Sequence, residues 1–481
     1  MKHCLLYLSF LLSGLLFLLS SCTKQTDNLS LNNGNISEHS HVVPLDQAIE
    51  SLNLFLDSLP DSKSSLPSRK FSSVSTIRSN KSVSNSLTRS SSTAVSEALL
   101  YLVNFDDAQG YAILAADDRI SARILAVTER GNMLESAFGR HDGSSTIANT
   151  KSGGFVSSID SLDFYNNDYD DWYVGEYIGP ESSNNVNSLI AELSVSYAEN
   201  EIRGGIPFKP IIDGEDPHTP FYDDVQTVSY YSDTTYVVQP MMASDSLMYW
   251  SQSRTPFVNG LPFPYFHLGC VNLSVARIMA YLQYPQDLYI GGIYINWPLM
   301  RNYPTSSGYS AINALYNSFL GSNGTMNISC LTGGTFTLPC SAKNYLIGKG
   351  FQNVSYQYYD GSTVRQCLNN DVPVFICSVP ADDEGYTISL SHSWILDGYL
   401  DLTKVTTNYY YLEGVLIDTY TYYSTEMMVH CDWGWSGDCN GYFYSGLFNL
   451  GSTGPIFDGT HSKTTNYNCF LKTITLDHPV L

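Results

Sequence analysis

The chain is 481 residues long, about three times the usual domain length of roughly 150, so two folded units are expected. Hydrophobic residues make up 43% and charged residues 15%, with 36 tyrosines, which excludes a disordered or coiled-coil chain and fits a globular protein rich in strands and loops. The net charge of −22, from 24 basic and 46 acidic residues, argues against nucleic acid or another polyanion as partner.

At the N-terminus, Lys2 and His3 precede an apolar run from Leu5 to Leu19, short for a stable spanning helix and flanked as an export signal is. The run closes on Leu19-Ser20-Ser21-Cys22, which resembles the lipobox of bacterial lipoproteins, whose cysteine becomes the acylated first residue of the mature chain. Residues 1–22 are therefore expected to be a lipoprotein signal peptide, with Cys22 as lipidation site and residues 23–42 as a linker. Ordinary signal cleavage beside an incidental cysteine is the alternative. The expected location is the bacterial cell envelope, at the outer membrane or surface, with the mature protein released or held there by lipid alone. No later run is long and apolar enough to span a membrane.

From Val43 to Leu59, the apolar residues Leu45, Ala48, Ile49, Leu52, Phe55 and Leu56 recur at helical spacing before Pro60, which predicts an amphipathic helix. Residues 61–96 are rich in serine with scattered Lys and Arg, the composition of a flexible loop that buries no core. Leu99 to Phe105, a polar turn from Asp106 to Gln109, and Gly110 to Asp118 then predict a β-hairpin. Asn104-Phe105, Gly110-Tyr111 and Ala116-Asp117-Asp118-Arg119 resemble the pattern in the propeptide domain of the streptopain family. That resemblance covers residues 43–200 and implies a smaller α+β inhibitory propeptide domain. Residues 201–244 turn polar, acidic and proline-containing, and read as the linker where a precursor would be cut.

Val271, Val275, Ile278, Met279 and Leu282 follow Gly269-Cys270 at i, i+4, i+7, i+8 and i+11, which predicts a helix with one buried face and Cys270 at its N-terminus. There the unpaired amide donors and the positive end of the helix dipole lower a thiol pKa from about 8.5 toward the nucleophilic range. Ser391 to Gly398 alternates like a strand that ends at Gly398, with His392, Trp394 and Leu396 on one face. A neutral imidazole beside the thiol takes its proton, so His392 is the candidate base. His430 to Gly437 reads as a strand entering a tight turn. Asp432 is expected to orient His392 through its ring N–H, and Trp433 and Trp435 to shield that contact from water.

Jointly the blocks Gly269-Cys270-Val271, Ser391-His392-Ser393-Trp394-Ile395-Leu396-Asp397-Gly398 and Asp432-Trp433-Gly434-Trp435 resemble the streptopain-like peptidases, a papain-fold family, in the family's order. The resemblance spans residues 245–481. It implies an α+β papain-like cysteine peptidase domain after the propeptide domain, acting on proteins or peptides without cofactor or metal, and held latent by its own propeptide. Trp250-Ser251-Gln252 resembles the family's Trp-x-Gln segment and so makes Gln252 the side-chain donor of the oxyanion hole, beside the Cys270 backbone N–H. Such donors are worth on the order of 3 kcal/mol.

The chain departs from the family where Asp432 replaces a frequent Asn and Ser391 a common Gly. Ser391 is expected to narrow the substrate channel, with Trp433 and Trp435 beside it. Three other readings stay open: a metal site among His430, Cys431, Asp432, Asp438 and Cys439; an inactive peptidase fold used as a binding lipoprotein; and acyl transfer or amide hydrolysis on a non-protein substrate. Eight of the ten cysteines lie from Cys270 to Cys469, and spacing does not give their pairing.

Overall fold

The computed structural model describes residues 41–58, 69–78, 98–138, 174–175, 182–204, 224–243, 247, 250, 269–302, 311, 314–315, 318–319, 327–329, 335–337, 339–380, 392–448 and 469–479. Cys22, Gln252 and Ser391 lie outside these residues. Mixed helix and strand make an α+β protein dominated by one sheet.

The strands of that sheet are β1 (Phe71–Arg78), β2 (Ala98–Phe105), β3 (Tyr111–Ala115), β4 (Ile124–Thr128), β5 (Asp224–Val238), β6 (Ser355–Tyr358), β7 (Val374–Pro380), β8 (His392–Leu412), β9 (Val415–Asp432), β10 (Gly441–Tyr444) and β11 (Cys469–Thr475). They run β1-β2-β3-β4-β10-β9-β8-β7-β11-β6, with β5 added to β8. Helix α1 (Leu45–Ser58) falls where its periodicity predicts and buries Ala48, Leu52 and Phe55. The β2–β3 hairpin also forms as predicted, in register from Leu100↔Ala115 to Asn104↔Tyr111.

Both faces of β2 and β3 are buried. Leu100, Leu102, Tyr111, Ile113 and Ala115 enter one core, while Tyr101, Val103, Phe105, Ala112 and Leu114 enter a second. Alternation along the strand sends successive side chains to opposite faces, so a strand covered on both sides reads as a continuous apolar run. Helix α2 (Ser182–Gly204) has no counterpart among the predicted elements. It packs Val186, Leu189, Ile190 and Leu193 into the first core.

Two segments expected to be loose are strands. Within the serine-rich stretch, β1 pairs with β2 (Val74↔Val103) and buries Ile77. An edge strand needs backbone pairing more than apolar side chains, so its serines hide it. Within the expected linker 201–244, β5 pairs with β8 from Tyr399↔Val238 to Tyr411↔Asp224. Nor does the strand from His392 end at Gly398: a register shift between Leu396 and Gly398 absorbs the glycine, and β8 runs on to Leu412. It returns as β9 through Glu413 and Gly414, both at positive φ (52° and 76°), the two-residue geometry that matches strand twist.

Helix α3 (Cys270–Leu282) packs against β7 and β8. It is buried on nearly all sides, so the apolar face predicted for it is only part of its contact surface. Asn272, Ser274 and Arg277 are inside as well.

Candidate active site

Cys270 opens α3 and is 2% exposed. Helical spacing puts Cys270, Leu273 and Arg277 (i, i+3, i+7) on one stripe. That stripe faces the turn after β9. The buried Arg277 guanidinium donates from Nη1 to Asp432 Oδ1 at 3.0 Å and from Nη2 to Asp432 Oδ2. Asp432 Oδ1 also accepts the Gly434 N–H at 3.1 Å. Leu273 lies so close to Gly434 that a Cβ there would sit 3.1 Å from Leu273 Cδ2, at a backbone φ of 80°. Only glycine serves both conditions without strain.

Opening β8, His392 is 5% exposed. Its Nε2 lies 2.9 Å from the Trp433 carbonyl oxygen. A carbonyl only accepts, so Nε2 carries the proton and donates, and Nδ1 of the neutral ring keeps a lone pair. Trp394, Trp433 and Trp435 stack on the imidazole with centroids 6.1, 6.0 and 6.2 Å away and planes within 12–17°. Burial in this aromatic box lowers the His392 pKa to about 4, against the opposing pull of the Trp433 carbonyl. The ring is therefore neutral at ordinary pH. The Trp433 N–H is itself held by Asn440 Oδ1 at 3.0 Å.

Asp432 does not orient His392 as its position in the sequence suggests. It sits opposite Ile395, three residues along β8 or about 10 Å from His392, and spends its carboxylate on Arg277 and Gly434. The orienting acceptor is the neighbouring main-chain carbonyl of Trp433. Trp433 and Trp435 do lie against the histidine ring.

Four other described thiols are poor nucleophiles. Burial raises the pKa of Cys367 to about 11 and those of Cys377 and Cys439 to about 12, and raises that of Cys431 too. These four, with Cys270 and Cys340, are outside any disulfide. Among the described residues no group of three or more His, Cys, Asp or Glu is placed to hold a metal ion. His430, the first residue of that alternative, is occupied by Asp397, whose Oδ1 lies 2.5 Å from His430 Nδ1.

Residues 334–443 match the Peptidase C10 family, and residues 46–142 match the Spi protease inhibitor. The two regions are those of a streptopain-like precursor. No curated protein and no solved structure gives a significant match. The peptidase match takes in His392 and the block from His430 to Gly437, while Cys270 lies upstream of it.

Among the contacts between the Spi-like domain with its flank and the peptidase region are two strand pairings. At one, β4 pairs with β10. At the other, Val174–Gly175 pairs with Phe336 and Thr337, and Thr337 Oγ1 accepts a 2.9 Å hydrogen bond from Asn272, two residues beyond Cys270.

Sequence reasoning missed Arg277 and the Trp433 carbonyl. Arg277 carried a usable signal, an arginine seven residues after the cysteine on a helix face otherwise built for burial. A main-chain acceptor leaves no mark in the sequence. Asp397 was visible within the histidine block, but its partnership with His430 was not.

Proposed function

We propose that the protein is an exported cysteine endopeptidase made as a zymogen, with Cys270 as nucleophile and His392 as base. The observation that carries this reading is the hydrogen bond from His392 Nε2–H to the Trp433 carbonyl. It fixes the tautomer that leaves Nδ1 basic, in a strand against which the Cys270 helix packs.

In the proposed reaction Nδ1 takes the Cys270 proton as Sγ bonds to the peptide carbonyl carbon. The Cys270 backbone N–H and the Gln252 side chain hold the oxyanion. The imidazolium returns its proton to the amine as the C–N bond breaks, leaving a thioester. Water then attacks, giving a proton to His392, and the acid product leaves with the thiol restored. Burial lowers the His392 pKa to about 4, so the imidazole is neutral when it takes the proton.

Latency fits the Spi-like region, and the strand Val174–Gly175 close to Asn272 supports it. The apolar run before Cys22 supports export and attachment by lipid. Expression of the chain from Ser30 onward, with processing and peptide hydrolysis followed, tests the chemistry. Cys270→Ala is expected to lose both. Equal processing and hydrolysis by the Ala variant would sink the nucleophile assignment. Absence of hydrolysis in both forms, with no labelling of Cys270 by a thiol-reactive probe, would favour the binding-lipoprotein reading. Radiolabelled palmitate in a bacterial host should mark the full chain and not Cys22→Ala.

A further inference from the structure

An inhibitory prosegment is ordinarily thought of as a cap that leaves once it is cut. The seam between the two domains has a different character. Strands β4 and β10 pair through Thr128↔Gly441, Val127↔Tyr442 and Ala126↔Phe443, so the sheet of the N-terminal domain and that of the peptidase domain are one. At the crossing, a Cβ on Gly441 would lie 2.3 Å from the Val127 carbonyl oxygen, so the two backbones touch where only glycine fits.

Neither domain owns a complete core. The second core combines Val43, Leu52, Phe55, Val103 and Leu114 with Leu400, Leu402, Met428 and Tyr442. A surface of this kind resembles a domain core cut in half, the mark of obligate rather than transient interfaces.

Buried polar groups also find their partners across the seam. Tyr231 OH accepts the Arg123 N–H at 3.1 Å and donates to Glu426 Oε2 at 2.6 Å. Lys404 Nζ bonds both Glu426 and the Ser121 carbonyl. His430 lies between Asp397 and Glu129, 3.6 Å from the latter. Separation would leave these groups facing water or one another without their present partners, beside two opened apolar faces.

The seam also props the candidate site. Glu129 N–H donates to the Asn440 carbonyl at 2.7 Å, and Cys439 N–H to the Arg130 carbonyl at 3.3 Å. Asn440 in turn holds the Trp433 N–H, and the Trp433 carbonyl holds His392.

We infer that the N-terminal domain is a permanent subunit: when the chain is cut between Gly204 and Asp224, it stays bound and the peptidase domain persists as a two-chain particle. This inference rests on the seam and needs no peptidase activity.

The test uses the chain from Ser30 onward carrying Cys270→Ala, to prevent self-cutting, with a site-specific protease sequence inserted between Gly204 and Asp224. After complete cleavage, the two pieces are expected to co-elute one-to-one on size exclusion at neutral pH, with no loss of complex on dilution to about 10 nM. Urea should part them only in a single transition shared with unfolding. A separate peak for either piece before unfolding, or precipitation of the peptidase piece while the other stays soluble, overturns the inference.

Discussion

His392 and His430 lie in adjacent strands of one sheet, both buried, and their surroundings drive one to be neutral and the other to be a cation. Around His392 stand three indoles and one carbonyl, and burial lowers its pKa to about 4. Burial would lower His430 too, but Asp397 and then Glu129 outweigh it and raise the pKa to about 10. An aromatic box makes a base that is neutral and ready. Two carboxylates make a cation that binds parts together. The position of a histidine in a sheet therefore says little about its role until the groups facing it are known.

The largest expected effect breaks the comparison on the catalytic side. His392→Ala should lower kcat/KM for a peptide substrate by on the order of 10³ with little change in the urea midpoint. His430→Leu should do the reverse. It strands the Asp397 carboxylate in the interior, a loss of about 3–5 kcal/mol on urea unfolding. If both variants lose activity and stability together, the two histidines are not functionally distinct.

Arg277→Met tests the corresponding ion pair at the candidate site. Asp432 would be left buried and charged, still accepting from the Gly434 N–H but without the guanidinium, and a cost again of about 3–5 kcal/mol is expected. Arg277→Gln combined with Asp432→Asn replaces the ion pair by a neutral amide pair. That double variant should recover most of the stability and of kcat, because what the Trp433 turn requires is a bridge, not a charge. Failure of the double variant to improve on Arg277→Met would mean that the charge itself matters.

What could be read from the sequence was whatever one segment determines by itself. The Cys270 helix, the α1 helix and the β2–β3 hairpin carry their period and turn residues locally. The strands β1 and β5 were hidden because serines and threonines reveal no apolar face, and their partners lie 31 residues away at Ser73–Asn104 and 177 away at Ser229–Thr406. For the same reason Asp432 was assigned the wrong neighbour. Its true partner, Arg277, is 155 residues earlier, and the acceptor for His392 is a main-chain oxygen that any residue would supply.

Linkage makes the contrast visible in stability against pH. His392 binds a proton more readily unfolded than folded, so stability falls as pH drops from about 6.5 to 4. His430 binds its proton more readily folded, so its contribution is complete below about 6.5 and is lost as pH rises through 10. The acid arm is on the order of 3 kcal/mol and the alkaline arm on the order of 5 kcal/mol. Urea midpoints from pH 4 to 10 should give a maximum near 6.5, with His392→Phe flattening only the acid arm.

The smallest effect isolates the cause of the low His392 pKa. Trp435 covers one side of the ring but neither donates to it nor accepts from it, so Trp435→Ala admits water while leaving the Trp433 carbonyl bond in place. Easing the burial penalty should raise the pKa toward the ordinary value of about 6.5, and the acid limb of kcat/KM should move up by about one pH unit. The shift must appear in the limb and not merely in the plateau, since loss of substrate contacts alone would lower kcat/KM evenly at all pH values. An acid limb that stays near 4 would place the whole effect on Trp394 and Trp433, whose rings stack 4.4 Å apart and would keep the imidazole dry without help.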